Sequence, residues 1–248
     1  MDFRRINLRR PATATGLLLL AALLSTTLPL TARSTPPLAS DAITLKTLYW
    51  PPYTGEMLDG QGFLAADVQQ KLAENGFQVT TEFVPWTSIL ANAEHQFQPM
   101  DAFFPAYNSH RYLDFCELSS PIGNGPLGII HHKRRTPQWQ HISDLNQLSL
   151  GVVRGYANTE EIDALIRLGA LQTEAAKSDL QNIIKVATGR IDAAIIDRNV
   201  YQWLLANEPS IEGIEELIRF HPKLLAQQDL HLCVLKGPHQ EKILEIFR

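Results

Sequence analysis

The sequence predicts two α/β lobes of similar build, each with mostly parallel strands. Three observations carry this reading. From residue 43 onward, short apolar runs of strand length alternate with stretches of helical periodicity, the pattern of a layered α/β protein. A polar stretch over residues 133–140, rich in basic side chains and carrying Pro137, interrupts the alternation, which then restarts. The two halves also echo each other. Met100-Asp101-Ala102-Phe103-Phe104 is matched by Ile191-Asp192-Ala193-Ala194-Ile195, each entering a strand after a helix.

In the first half, residues 43–50 read as a strand. Residues 64–75 carry Leu64, Val68 and Leu72 at helical spacing and stop at Gly76, a good helix terminator. Residues 78–84 alternate as a strand, 86–93 are helical, and 101–104 form a short buried strand. The run 127–132 leads into the polar stretch. In the second half, 148–153 is a strand, 159–168 a helix, 180–188 a helix closed by Gly189, 191–196 a strand and 200–206 a helix. A strand over 231–235 and a helix over 241–247 follow, and are expected to return to the first lobe. The expected division is therefore 1–40 as signal peptide and linker, 41–132 as the first part of lobe 1, 133–220 as lobe 2 and 221–248 as the return. The two chain crossings would form a hinge.

The amino terminus reads as an address. Arg4, Arg5, Arg9 and Arg10 make a basic region, and residues 16–24 form an apolar run that Ser25, Thr26, Thr27 and Pro29 break. A membrane span wants about 20 apolar residues, so a cleaved signal peptide is expected, and with it a periplasmic location. The first forty residues hold five of the 22 basic and one of the 26 acidic side chains, so the remainder carries 17 against 25, a net charge of −8. A nucleic-acid binder shows the opposite sign on its contact face, and that class is excluded. Cys116 and Cys233 are the only cysteines, 117 residues apart. That separation excludes a CxxC redox pair or a zinc knuckle. A disulfide is open to them in an oxidising compartment, but two separately buried thiols are the expectation.

Six local stretches resemble the family 3 extracellular solute-binding proteins, the amino-acid receptors of bacterial importers. They are Trp50-Pro51-Pro52-Tyr53; Gly62-Phe63 with Asp67; Val84-Pro85-Trp86; Asn108-Ser109-His110-Arg111 with Phe115 and Ser120-Pro121; Gly151-Val152 with Gly155-Tyr156; and Gly189-Arg190-Ile191-Asp192-Ala193 through Asp197. The resemblance implies a type II periplasmic-binding-protein-like fold, α/β, with a ligand cleft between lobes joined by two hinge crossings. It implies that Arg111 clamps a ligand carboxylate and that Asp197 receives the ammonium. A guanidinium offers a planar fork to a carboxylate, and a strand-end aspartate in the facing lobe meets an ammonium when the cleft closes. Read as residues alone, Arg111 fits a surface arginine at a helix start and Asp197 a helix cap ahead of Asn199. Trp50 and Tyr53 would flank the ligand side chain, with Trp86 as cleft wall. Tyr156 and Ala157 sit at a helix start, where backbone N–H groups can meet a carboxylate.

The chain departs from the family pattern at Phe103, Phe104, Pro105 and Ala106, where hydroxyl-bearing residues usually precede the arginine. That makes one wall more apolar and points away from a standard amino acid. The family usually continues for another helix beyond a point like Arg248, so either this lobe closes differently or the sequence continues. Gly123-Asn124-Gly125-Pro126-Leu127-Gly128 satisfies GxGxxG, but a strand-like run follows it and Pro126 lies inside it. It fails the dinucleotide test and reads as a β-turn before the crossing strand. His131-His132 beside Lys133, Arg134 and Arg135 reads as a solvated hinge face rather than a metal site. The acids Glu160, Glu161 and Asp163 open a helix and favour its positive end.

The expected function is capture of a small polar solute, an amino acid or related zwitterion, by a monomeric receptor that hands it to an ABC transporter permease. No cofactor, metal, catalytic residue or nucleic acid is expected. Two rivals stand beside it. One is a same-fold cyclohexadienyl dehydratase, with His110 or Asp197 as its general acid. The other is a degenerate member that binds a protein partner.

Overall fold

The structure is a computed structural model that describes residues 41–248. The export signal expected over residues 1–40 lies outside the described residues. The first half runs β1 (Asp41–Thr47), α1 (Phe63–Glu74), β2 (Phe77–Phe83), α2 (Trp86–His95) and β3 (Ala102–Tyr107). A short strand β4 (Cys116–Leu118) and a long one, β5 (Gly123–His132), lead out of it. The second half contains β6 (Leu150–Val153), α3 (Glu160–Arg167), β7 (Thr173–Ala176), α4 (Asp179–Ala187), β8 (Ala193–Asp197), α5 (Arg198–Asn207) and β9 (Ile218–Phe220). The long strand β10 (Ala226–Leu235) and helix α6 (Gln240–Ile246) end the chain.

The ten strands form one continuous path in the order β2-β1-β3-β10-β5-β8-β6-β7, with β4 on β10 and β9 on β5. Two parallel triplets stand at its ends. In one, β1 pairs with β2 and β3; in the other, β6 pairs with β7 and β8. Each triplet therefore has the same 2-1-3 order, which is the structural content of the sequence echo. An antiparallel ribbon of β10 and β5 joins them, from Ala226↔Leu127 to Leu230↔Gly123. The far end of β10 pairs with β3 and β4, and the far end of β5 with β8 and β9.

Local chemistry explains where the elements differ from expectation. Strand β1 stops at Thr47 rather than residue 50, because Pro51 and Pro52 have no N–H to continue a ladder. The chain instead turns back, and Trp50 N donates to Thr54 O at 2.9 Å. Strand β3 runs on past Phe104 through Pro105 to Tyr107. It does so where its pairing with β10 shifts register between His231 and Cys233, so Pro105 meets no ladder position. Helix α1 ends at Glu74 with Asn75 as its cap, and Gly76 follows at φ 86°, which glycine reaches without strain.

Three expectations are corrected. Cys116 and Cys233 are joined in a disulfide, because antiparallel pairing of β4 with β10 brings their Cα atoms to 5.5 Å, within bridging reach. The run Gly123 to Gly128 is no turn but the first half of β5. His131 is buried, because β8 and β9 flank β5 there, and its ring meets that of His221 at 5.9 Å.

Candidate functional site

In open α/β sheets ligands sit beyond the carboxyl ends of the strands. Most of the polar and aromatic side chains that gather between the two triplets come from such ends. Trp50 and Tyr53 follow β1, Trp86 follows β2, and Tyr107 closes β3 with Arg111 and Tyr112 just beyond. Tyr156 and Ala157 follow β6, Asp179 follows β7, and Asp197 closes β8. They bound two small adjoining cavities. One, of about 30 Å³, is walled by Trp50, Trp86, Pro105, Tyr107, Tyr112 and Tyr156. The other, of about 10 Å³, adds Asp179 and Asp197. Each has room for about one water-sized particle, so little free space is left between the triplets. A groove of about 660 Å³ opens outside it, bordered by Tyr49, Met57, Trp86, Arg154, Tyr156 and Lys177.

Aromatic packing sets the chamber's shape. The Trp50 and Tyr53 rings stack at 4.6 Å with 20° between planes, and Tyr107 meets Trp50 edge-on at 6.1 Å. Trp86 meets Tyr156 edge-on at 6.2 Å, so aromatic contact crosses from one triplet to the other. Trp50 Nε1, Tyr107 Oη and Tyr112 Oη are buried without a hydrogen-bond partner.

The acids lie deep. Asp197 is 2% exposed and Asp179 6%. Asp197 caps α5: its Oδ1 accepts from Asn199 N at 2.7 Å and Val200 N at 3.1 Å. It also faces the other lobe, where Tyr53 Oη lies 3.2 Å from Oδ2 and 3.3 Å from Oδ1. The Tyr53 hydroxyl in turn accepts from Asn199 Nδ2 at 2.8 Å. Asp179 accepts one long bond, from Tyr156 Oη at 3.4 Å. Trp50 Nε1 makes no well-formed bond to it, yet lies close enough to favour its ionised form. Burial, and after it the Asp197 charge, raises the Asp179 carboxyl to about 7. Burial raises Asp197 to about 6, against the two backbone amides that hold it down. Burial also pushes the Tyr53, Tyr107 and Tyr156 hydroxyls upward.

Arg111 stands at the exposed rim. Its Nη1 donates to Gly155 O at 2.9 Å and Tyr156 O at 3.4 Å. Trp86 Nε1 donates to the same Gly155 carbonyl at 3.0 Å. Gly155 adopts φ 84°, a left-handed turn that glycine reaches without strain. One carbonyl of the second triplet thus accepts two donors from the first. Outside them, His110 Nε2 meets Glu160 Oε1 at 3.1 Å with both side chains exposed.

Gly125 on β5 leaves room for the Tyr53–Asp197 contact. A Cβ there would overlap Asp197 Oδ2 and come within 3.0 Å of Tyr53 Oη. Gly125→Ala should therefore cost about 1–3 kcal/mol, the range for overpacking a tight site. Thermal unfolding checks this against Gly123→Ala, whose Cβ meets only the flexible ends of Leu64 and Leu230 and should be tolerated.

Neither a scan against protein-family models nor a search of curated proteins gave a match. Solved structures do match. An ancestral arginine-binding protein bound to arginine superposes with a TM-score of 0.66 at 14% identity, covering 83% of this chain and 90% of that one. This chain has the type II periplasmic-binding-protein fold. Two further structures share it with 83% of this chain. The GluR0 ligand-binding core from Nostoc punctiforme, in complex with L-glutamate, superposes at TM-score 0.62, 14% identity and 91% of its length. A histidine kinase sensor domain with similarity to periplasmic binding proteins does so at 0.69, 14% and 88%. The periplasmic-binding-protein architecture accounts for the long ribbon and the inter-lobe chamber.

Of the residues expected at a site, Trp50, Trp86, Tyr156, Ala157 and Asp197 line the chamber, Tyr53 abuts it through Asp197, and Arg111 lies at its rim. Sequence reasoning missed Tyr107, Tyr112 and Asp179. An aspartate after Ser178 at the start of a helix reads as a partner of the helix dipole, and nothing local marks Asp179 as facing a second buried acid.

Proposed function

We propose that this protein is a periplasmic solute-binding protein that closes two lobes over a small polar solute and presents it to an ABC transporter permease. The observation that supports this best is the convergence of strand-end side chains from both triplets on one narrow aromatic and acidic chamber. Lobe 1 would comprise residues 41–132 and 221–248, lobe 2 residues 133–220, and β5 with β10 the hinge. Solute entry would part the lobes by breaking the bonds to Gly155 O and the Tyr53–Asp197 contact. In the open form Arg111 would be released, and an amino acid or related zwitterion is the reference ligand for a site of this kind.

The test is thermal unfolding of the protein, denatured and refolded to shed carried solute, against amino acids, amines, carboxylates and sugars. A ligand at one hundred times its dissociation constant adds about 2.7 kcal/mol, which raises the melting temperature by roughly 5–10 °C for a chain of this size. No shift with any class would overturn the proposal. The dehydratase rival needs a general acid beside a leaving hydroxyl. His110 is exposed and paired with Glu160, which leaves it only the buried acids. A carboxylate substrate would meet those as a like charge. Product formed from a cyclohexadienyl acid would decide for that rival.

A further inference from the structure

The fold leaves the solute's charge open, and the chamber speaks to it. Two carboxyls, Asp179 and Asp197, line the same cavity, and among the described residues no Lys, Arg or His lines it with them. The nearest arginine of the rim, Arg111, lines neither cavity, and its Nη1 is held by the Gly155 and Tyr156 carbonyls. A buried charge is costly unless it is paired. Asp197 Oδ1 is served by two backbone amides, but its Oδ2 has only the Tyr53 hydroxyl, and Asp179 has one long bond. Tyr107, whose hydroxyl has no partner, lines the cavity with these oxygens, and the equally unpartnered Tyr112 lines the adjoining one; each hydroxyl can accept as well as donate. The walls are the faces and edges of Trp50, Trp86, Tyr107, Tyr112 and Tyr156, surfaces that attract a cation. A ligand carboxylate placed beside the two acids would add a third negative group in a cavity that no Lys, Arg or His lines, with Arg198 behind Asp197 and Arg111 at the rim as the cations around it.

Resting on the solute-binding reading, we infer that the solute is an organic ammonium compound without a carboxylate, its N–H groups shared between Asp179 and Asp197 and its carbon chain held by the aromatic walls. The other groups facing the two acids are Tyr53 after β1, Tyr107 at the end of β3, Tyr156 after β6 and Arg198 at the start of α5. The tyrosines stay neutral through the physiological range, since burial pushes each upward. Arg198 lies over the Phe220 ring, 4.9 Å from its centroid. The two carboxyls are thus the groups that titrate on binding, and an ammonium favours their ionised forms. Binding therefore releases protons, and affinity for the cation rises as pH goes from 5 to 8.

The test uses matched pairs that differ by one carboxylate: cadaverine and lysine, histamine and histidine, tyramine and tyrosine. Titration calorimetry on the refolded protein should show at least one amine binding ten-fold or more tighter than its amino acid. That amine should gain ten-fold or more in affinity between pH 5 and 8, and in buffers of different ionisation enthalpy it should release protons. Asp179→Asn, checked for folding by its melting curve, should lose ten-fold or more. If the amino acid of a pair binds tighter, or affinity is flat or falls with pH, the charge assignment is overturned while the solute-binding reading stands. If neither these pairs nor the wider panel binds, both are overturned together.

Discussion

The ligand-free protein should melt higher at pH 5 than at pH 8. Asp179 is raised to about 7 and Asp197 to about 6 by burial, whereas both return to about 3.8 in the unfolded chain. Between those values the folded state holds more protons than the unfolded one, so its stability falls as pH rises and the fall is complete above the folded values. Each ten-fold difference in proton affinity between the two states is worth about 1.4 kcal/mol, so the window from pH 5 to 8 spans about 2–4 kcal/mol for the pair. That is roughly 5–15 °C for a domain of this size. His131 opposes it: burial lowers its pKa, so its contribution is lost as pH falls below about 6.5. The acids Asp41, Asp144 and Glu174 are lowered by their partners and lose theirs only in more acid solution. Melting curves at pH 5, 6, 7 and 8 decide the matter, and a rise in stability toward pH 8 would contradict the burial of the two acids. Asp179→Asn should flatten most of the slope.

Removing the disulfide should have an effect of similar size. Cys116 and Cys233 close a loop of 117 residues, and it contains all of lobe 2 as proposed here. Bridging a loop of that length restricts the unfolded chain by an amount worth about 2–5 kcal/mol. Cys116→Ala with Cys233→Ala, or reduction under conditions that leave the fold intact, should lower the melting temperature by roughly 5–15 °C. Both sulfurs are buried at the β4–β10 contact, so mild reductant should act slowly on the folded protein. A melting temperature unchanged in the double variant would show that the unfolded chain is not constrained by the bridge.

Much of the fold was legible in the sequence because it rests on local signals. Alternating apolar runs marked β2 and β6, and the glycines at 76 and 189 marked the ends of α1 and α4. What escaped depended on pairing partners far away in the chain. Strands β4, β7 and β9 are three or four residues long and carry too little pattern to stand out. The bridge between Cys116 and Cys233 follows from strand adjacency, which a separation of 117 residues conceals. The glycine run at the start of β5 looked like a turn because its reason lies across the sheet, where Asp197 occupies the space of a Gly125 side chain. At the candidate site the aromatic-proline turn and Asp197 could be read from motif order. Asp179 could not, since its local sequence describes a helix start and its partner acid is eighteen positions on.

The Gly155 carbonyl, which holds both Trp86 and Arg111, bears on speed as well as on shape. If solute entry parts the lobes as proposed, association would wait on the rupture of those bonds. At high solute concentration the observed binding rate would then level off at the opening rate rather than climb with encounters. Retention follows the same logic, because a captured solute leaves only as often as that carbonyl lets go. Substitutions at Arg111 or Trp86 would thus quicken entry and escape together, trading dwell time for turnover without altering what the two acids select.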